Sequence, residues 1–586
     1  MRARFDDLRP QRRRSFQLDG LVEVVEASAV NEVVGVLTTV EKHVREGRWV
    51  AGFVTYEAAP GFDPALKVID PTGTTHEQLP LAWFSVWERR TPARPLTSTR
   101  YELGGFVPEA DEIQHARGVA AIKNLIRQGQ TYQVNHTFRM EATFRGDPAS
   151  LYGDLVNSQS CGYGALIDTG RWAVVSASPE LFFEWRHGVV RSRPMKGTAP
   201  RGKRLEDDEA RRQLLEASEK DQAENLMIVD MVRNDLGRIA RTGTVRVPAL
   251  FTSEKYGTVW QLTSTVEAEP LPGSTLPQVF GALFPCASIT GAPKVATMTI
   301  ISQLESSPRG VYCGAVGFGG PDAGGEPQWA FNVAIRTALV DRHRKVAIYG
   351  TGGGVTYDST PAGEYREALL KAAVLGRRGG SFELLETMRY TAEGGIFLLD
   401  RHLHRLAASA RYFDVPLDPA EVRAALRAAV AGYSHSRRVR LRVGRDGTIR
   451  VETIELIANG PVTLAVDDVP VDPEEVFLYH KTTNRQIYAE AKKRHPEADD
   501  VILINTRGEV TETTIANLAV CLDGAWVTPP VSDGLLPGTY RAELVETGQL
   551  AERTITLADL REARKVARLN ALRGWQTAKL SGDFSD

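Results

Sequence analysis

The pattern of the chain breaks at "LGRRGGS" (residues 375–381), and that break limits what it can fold into. A helical run, "EYREALLKAAVL", ends there with Gly376 as its expected C-cap, and a strand-like segment, "FELLETMRY", follows. At 586 residues the chain exceeds the size at which a single hydrophobic core keeps growing. We therefore expect one domain over 1–376, a linker at 377–380 and a second domain over 381–586. In the first, strand patterns such as "WAVVSAS", "ELFFEW", "GVVRSR" and "KVAIYG" mix with amphipathic helices, an α+β pattern with large antiparallel sheets. The second also mixes strands ("DDVILIN", "NLAVCL") with helices ("RHLHRLAASARYF", "AEVRAALRAAVAG").

Composition matters here for what it excludes. A net charge of −2 lacks the basic excess of a nucleic-acid or lipid-surface binder. The N-terminal "MRARFDDLRPQRRR" has no apolar run after it, and no segment is long and apolar enough to span a bilayer. Cys161, Cys286, Cys313 and Cys521 form no CxxC pair, so neither a disulfide framework nor a zinc site is expected. A cytoplasmic protein is the expectation.

Two carboxylate pairs stand out. In "DQAENLMIVDMVRNDLGRI", Asp221 and Glu224 are three residues apart on a helical pattern, so they share a face. Glu364 and Glu367 repeat that spacing in "DSTPAGEYREALLK", where Thr360 and Pro361 read as N-cap and N1. Each pair alone also reads as a solvated acidic face; together they could converge on a hard cation such as Mg²⁺. The glycine-rich "ASITGAPK" and "GTGGGV" offer unobstructed backbone N–H groups to an anion. "ELFFEWRHGVVRSRPMK" reads as a hairpin turning at His187–Gly188 that sets Glu180 nearly opposite Lys196. That pair fits either an acid beside a nucleophilic amine or a plain cross-strand ion pair.

In order along the chain, "SPELFFEW", "RPMKGTAPRG", "AENLMIVDMVRNDLGRI", "FPCASITGAPKVATM", "RGVYCGAVGF", "NVAIRTA" and "GGGVTYDSTPAGEYREAL" resemble the chorismate-binding enzymes over about 110–375. Within that family they look most like component I of aminodeoxychorismate synthase; "AGFVTYEAAPGFDPAL" upstream is a weaker match. The resemblance implies a large layered α/β fold that binds chorismate and Mg²⁺. Glu224 and Glu367 would be metal ligands with Asp221 and Glu364 beside them. Thr290, Tyr312, Arg336 and the backbone at Gly353 would contact substrate. Lys196 would add to the chorismate ring with Glu180 as general acid before ammonia displaces it. Anthranilate synthases have a small residue where this chain has Lys196. For the amine to act, burial or a nearby cation must lower its pKa by a few units from about 10.4. One departure is Gln261 in "WQLTS", where the family commonly has a histidine; glutamine cannot shuttle a proton near neutrality.

In the second part, Lys481 follows an aromatic, strand-like "FLYH" and precedes a helix. Arg405 lies on a helix, Glu512 and Asn517 lie in "GEVTETTIANLAV", and "GLLPGTYR" opens a helix whose N-terminus suits a phosphate. "HLHRL", "HKTTNR", "VTETTIANL" and "GLLPGTYR" resemble class IV aminotransferases and aminodeoxychorismate lyase over about 381–586. By that resemblance Lys481 is the Schiff-base lysine of pyridoxal 5'-phosphate, Glu512 the partner of its ring nitrogen, and Arg405 a phosphate ligand with the backbone of Thr539 and Tyr540.

The two resemblances imply a bifunctional enzyme that converts chorismate and ammonia to 4-amino-4-deoxychorismate and then, by loss of pyruvate, to 4-aminobenzoate. No GxCxG-type glutaminase motif is present, so a separate glutamine amidotransferase subunit is expected to supply ammonia, and class IV relatives imply a homodimer. The alternatives are a synthase fused to a class IV amino-acid aminotransferase, an anthranilate synthase-like component I, and a non-catalytic scaffold.

Overall fold

The computed structural model describes residues 1–9, 13–96, 101–159, 161–372, 375, 382–456, 460 and 462–581. Gly376 and the expected linker at 377–380 lie outside the described residues. The chain divides into two compact units, Met1–Pro200 with Arg212–Gly379, and Arg201–Arg211 with Gly380–Asp586. The unbroken domain expected over 1–376 is thus interrupted, because Arg201–Arg211 belongs with the second unit. Arg201 Nη2 donates to the Tyr412 carbonyl at 3.0 Å, and the Tyr412 hydroxyl donates to the Gly202 carbonyl at 2.8 Å.

The first unit is built on an antiparallel sheet system of nineteen strands among the described residues. Its Gln133–Arg145 strand pairs with Val346–Val355 along its whole glycine run, with Gly353 opposite His136 and Gly354 opposite Asn135. "GTGGGV" is therefore a strand end rather than a loop. Beyond Tyr349 its other edge has no ladder partner among the described residues, which leaves backbone N–H groups free there. The helix Glu219–Gly237 buries Ile228, Val229, Val232 and Leu236 at helical spacing against a core with Phe182, Phe280 and Phe331. The helix Pro361–Ala372 starts at the expected proline and buries Ala368 and Ala372 against Phe138 and Tyr349. Each helix is pinned by its apolar side and turns its acidic side elsewhere.

Gln133–Arg145 also carries buried polar residues. Arg139 and Arg309 grip buried Glu305 at 3.0 and 2.7 Å. Arg309 then donates to the Ile289 carbonyl at 2.8 Å and the Asn135 carbonyl at 2.7 Å. Truncating one partner of such a buried pair costs about 3–5 kcal/mol, so this network fixes the backbone around Asn135 and Ile289.

In the second unit, a four-stranded antiparallel sheet (Gly395–Ile396, Leu384–Thr391, Arg437–Val443, Ile449–Glu455) carries the helices Leu399–Phe413 and Pro419–Val430. A nine-stranded mixed sheet follows, with Val462–Val466 parallel to both Asp500–Ile504 and Gly574–Leu580. The aromatic strand expected before Lys481 is absent. Val476–Leu478 is a single 3₁₀ turn capped by Glu475, whose carboxylate accepts the Phe477 N–H. No helix among the described residues is long and apolar enough to cross a membrane.

Candidate active sites

In the first unit the hairpin Leu181–Arg186 with Val189–Arg193 forms as expected, but its ladder ends at Leu181 opposite Arg193. Lys196 lies on the next strand, Met195–Pro200, which pairs with Val259–Ala268. Glu180 and Lys196 meet because both open onto one cavity of about 430 Å³. The Asn225 amide donates to the Lys196 carbonyl at 3.0 Å and accepts from Ser264 at 2.6 Å, which locks the lysine's strand to the acidic helix. The Lys196 amine stands 3.7 Å from a Glu224 oxygen. Burial lowers its pKa, against the opposing pull of Glu224. Glu180 is 2% exposed. Burial pushes its pKa up to about 7, although the Ser288 hydroxyl and the Met195 N–H stabilise its anion. Ser288 Oγ donates to it at 2.6 Å.

Asp221, Glu224, Glu364 and Glu367 line the same cavity, so the two helix-borne pairs converge. Asp221 accepts from Ser218 at 2.5 Å and Glu364 from Ser359 at 2.6 Å. Burial, with Glu367 beside it, raises the Glu364 pKa, while Lys371 at 2.8 Å pulls Glu367 down. The carboxylates offer a hard divalent cation the right donor chemistry, although among the described residues no three of them bring ligand atoms within 4.8 Å of one another.

Tyr312, Arg336 and Gly353 also line the cavity. Arg336 holds a left-handed φ of 49° and donates to Gln159 at 2.7 Å. Thr290 does not reach the wall: it is fully buried and its hydroxyl donates to the Cys286 carbonyl at 3.1 Å, while Ser288 and Asn135 occupy that side. Gln261 lines the cavity and donates to Thr198 at 3.1 Å. Gln133 escaped the sequence reading. Its amide is fully buried with neither atom hydrogen-bonded, and a Cβ built on Gly354 would strike both its Nε2 and the Lys196 Nζ. Gly354→Ala should therefore displace the amine at little cost to the fold. We expect amination to fall at least about tenfold, a loss of roughly 1.4 kcal/mol of transition-state stabilisation, with Tm and second-unit cofactor binding unchanged.

The second unit holds a cavity of about 320 Å³ between its two sheets, lined by Lys481, Glu512, Arg405, Asn517, Thr539 and His402 among others. Burial, with Arg405 and Arg485 nearby, lowers the Lys481 pKa to about 8. Burial raises Glu512 to about 7, where the Tyr488 hydroxyl donates to it at 2.7 Å. Glu386 is buried, yet Arg405 and His402 hold it ionised with a pKa of about 2. It fixes both, accepting from Arg405 at 2.6 and 2.9 Å and meeting His402 Nδ1 at 2.7 Å. Arg405 also donates to the Pro537 carbonyl at 3.1 Å, beside the Gly538 N-cap of the helix Thr539–Glu546. The Tyr540 ring packs toward Phe397 with centroids 5.9 Å apart, and Tyr540 is not among the residues lining the cavity. A depressed amine, a buried acid and an arginine at a helix N-terminus fit the aldehyde, ring nitrogen and phosphate of pyridoxal phosphate.

Compared with known proteins, residues 10–377 match the family described as chorismate binding enzyme, and residues 383–580 match class IV amino-transferases. Aminodeoxychorismate synthase of Streptomyces griseus is 43% identical over 296 residues, 49% of this chain and 38% of that protein. Aminodeoxychorismate synthase component 1 of Bacillus subtilis (strain 168) is 36% identical over 293 residues, 50% of this chain and 61% of that protein. The chain thus spans less than two thirds of either relative's length. Anthranilate synthase component I from Streptococcus pneumoniae TIGR4 has the same fold, with a TM-score of 0.53 at 24% identity over 62% of this chain and 92% of that structure.

Proposed function

The chain belongs to the chorismate binding enzymes, and from that premise we propose that its first unit aminates chorismate to 4-amino-4-deoxychorismate and its second removes pyruvate to leave 4-aminobenzoate. The observation that carries this reading is the buried Lys196 amine, which shares one cavity with Glu180 and the four carboxylates. In the proposed reaction the neutral amine bonds to C2 of the ring, the double bond shifts, and the C4 hydroxyl leaves as water with the Glu180 proton. Ammonia bonds to C4, the Lys196 amine departs with its electron pair, and the product ammonium returns a proton to Glu180. Glu224 and Glu367, with Asp221 and Glu364, would hold Mg²⁺, which supplies positive charge toward the substrate carboxylates. The Gln133 amide packs against Gly354 beside the Lys196 amine and, as an amide, takes no proton from it.

Glu180 acts only while protonated, and its pKa is near 7. Amination should therefore decline as pH rises through about 7, on top of the gain from neutralising Lys196. Glu180→Gln should remove that basic limb and slow the step by about 10²–10⁴-fold. A basic limb that survives in the variant would assign the acid to another group.

A class IV amino-transferase domain implies pyridoxal phosphate, which supplies an electron sink at the amine-bearing carbon when bound. Arg405 and Thr539 would hold its phosphate and Glu512 its ring nitrogen. Lys481, with its pKa near 8, takes the C4 proton of the amine. Departure of pyruvate then leaves an aromatic ring, which drives the step. Ammonia is proposed to come from a separate glutamine amidotransferase subunit.

Incubating the protein with chorismate, ammonium and Mg²⁺, without pyridoxal phosphate, tests the first unit. The reading expects the 4-amino product; 2-aminobenzoate with pyruvate would overturn it.

A further inference from the structure

The segment Arg201–Arg211 runs directly on from the Met195–Pro200 strand that carries Lys196, yet it packs as part of the second unit. It is folded tightly on itself. Asp208 accepts from Arg201 Nε at 2.6 Å and from the Gly202 N–H at 2.9 Å, and a Cβ built on Gly202 would strike the Asp208 backbone nitrogen. This turn presents two carbonyls to the rest of the unit. The Tyr412 hydroxyl donates to that of Gly202 at 2.8 Å, and His480 Nε2 donates to that of Lys203 at 3.0 Å. The Lys203 amine is held in turn, 2.5 Å from Glu474.

His480 immediately precedes Lys481 and is 5% exposed. Because a carbonyl only accepts, Nε2 carries the ring proton, and Nδ1 accepts the Ser409 hydroxyl at 2.9 Å. Burial lowers the pKa of the ring to about 4, so it is neutral near pH 7. Tyr412 and Phe413 enclose it, with ring centroids 4.4 and 4.7 Å away. His480 is not among the residues lining the cavity. With both nitrogens engaged, it is placed to hold its neighbour rather than to move a proton. On the far side, the Lys481 carbonyl accepts the Leu385 N–H at 2.9 Å, and the Thr483 N–H donates to the Glu383 carbonyl at 2.9 Å. The main chain of Lys481 is thus fixed on one side by Leu385 and Glu383 and on the other through the His480 ring. An amine on a flexible four-carbon stem reaches one point reproducibly only from a fixed main chain, and a misplacement of about 1 Å costs on the order of 10²-fold in rate.

We propose that Arg201–Arg211 completes the second site: its Lys203 carbonyl fixes His480, and His480 sets the direction in which Lys481 enters the cavity. His480 is a positioning residue, and a segment encoded between Lys196 and Asp221 serves the chemistry of Lys481. This rests on reading Lys481 as the lysine that bonds the cofactor aldehyde, and it adds the part of the chain that sets that lysine in place.

The test compares His480→Asn with His480→Gln in the full-length protein. The glutamine amide overlays Nε2 and still donates to the Lys203 carbonyl, whereas the asparagine amide overlays Nδ1 and falls short of it. The readouts are the Kd for pyridoxal phosphate, from the visible absorbance, and kcat and KM with supplied 4-amino-4-deoxychorismate. His480→Asn should weaken cofactor binding and lower kcat at least about tenfold each, with KM little changed, and His480→Gln should recover both to within about threefold of the parent. Gly202→Ala, which displaces the turn, should reproduce the asparagine result. Tyr412→Phe keeps the ring against His480 and removes only the bond to Gly202, so it should show a smaller loss in the same direction, about threefold, and it decides the matter if Gly202→Ala does not fold. Equal effects of asparagine and glutamine, or parental values in both Gly202→Ala and Tyr412→Phe, would overturn this inference and leave the Lys481 reading standing. A parent protein that binds the cofactor without visible absorbance would overturn both.

Discussion

Lys196→Ala should abolish formation of 4-amino-4-deoxychorismate while the protein keeps its pyridoxal phosphate absorbance and still converts supplied 4-amino-4-deoxychorismate to 4-aminobenzoate. The expected loss is at least about 10³-fold, or roughly 4 kcal/mol of transition-state stabilisation. The size follows from the proposed role, in which the amine forms a bond to carbon. Lys220 and Lys371 also line the cavity, but Lys371 is bound to Glu367 at 2.8 Å and donates to the Gly352 carbonyl at 2.9 Å. The variant should fold, since Asn225 holds the backbone of residue 196 through its carbonyl rather than its side chain. A folded Lys196→Ala protein that retained more than a tenth of the amination rate would show that the amine only pairs with Glu224.

Lys481→Ala should do the opposite. Visible cofactor absorbance should disappear, conversion to 4-aminobenzoate should fall at least about 10³-fold, and 4-amino-4-deoxychorismate should accumulate from chorismate and ammonium. Burial, with Arg405 and Arg485 nearby, lowers the Lys481 pKa to about 8, which keeps a fraction of its amine neutral there. An alanine there removes both the covalent anchor for the aldehyde and the base for the C4 proton. If either alanine variant lost both reactions while folded, the assignment of one chemistry to each unit would be wrong.

The acidic pairs were legible in the sequence because their spacing is local, whereas Lys196 and Lys481 were singled out by resemblance to known families. Residues three apart on a helix share a face whatever surrounds them, and Asp221 with Glu224, like Glu364 with Glu367, open onto the same cavity. Their convergence was not legible from spacing alone. It depends on Gln133–Arg145 pairing with Val346–Val355, two segments about two hundred residues apart. The hairpin reading brought Glu180 toward Lys196 for an approximate reason, since the ladder ends before either residue. Thr290 fell outside because its hydroxyl has backbone carbonyls to satisfy it. Gln133 and Ser288 were missed: a polar residue on a strand or in a short turn reads as solvent-facing until the elements packed around it are known. Before Lys481, the apolar "VFLYH" satisfies a strand pattern, yet Glu475 caps Val476–Leu478 as a 3₁₀ turn, a local side-chain bond that outweighs propensity.

The most direct test supplies the intact chain with chorismate, ammonium, Mg²⁺ and pyridoxal phosphate and follows both products together. The account predicts 4-aminobenzoate and pyruvate in equal amounts, both dependent on the cofactor. Accumulation of 4-amino-4-deoxychorismate with no pyruvate, or amino-group transfer to a keto acid in place of elimination, would contradict it.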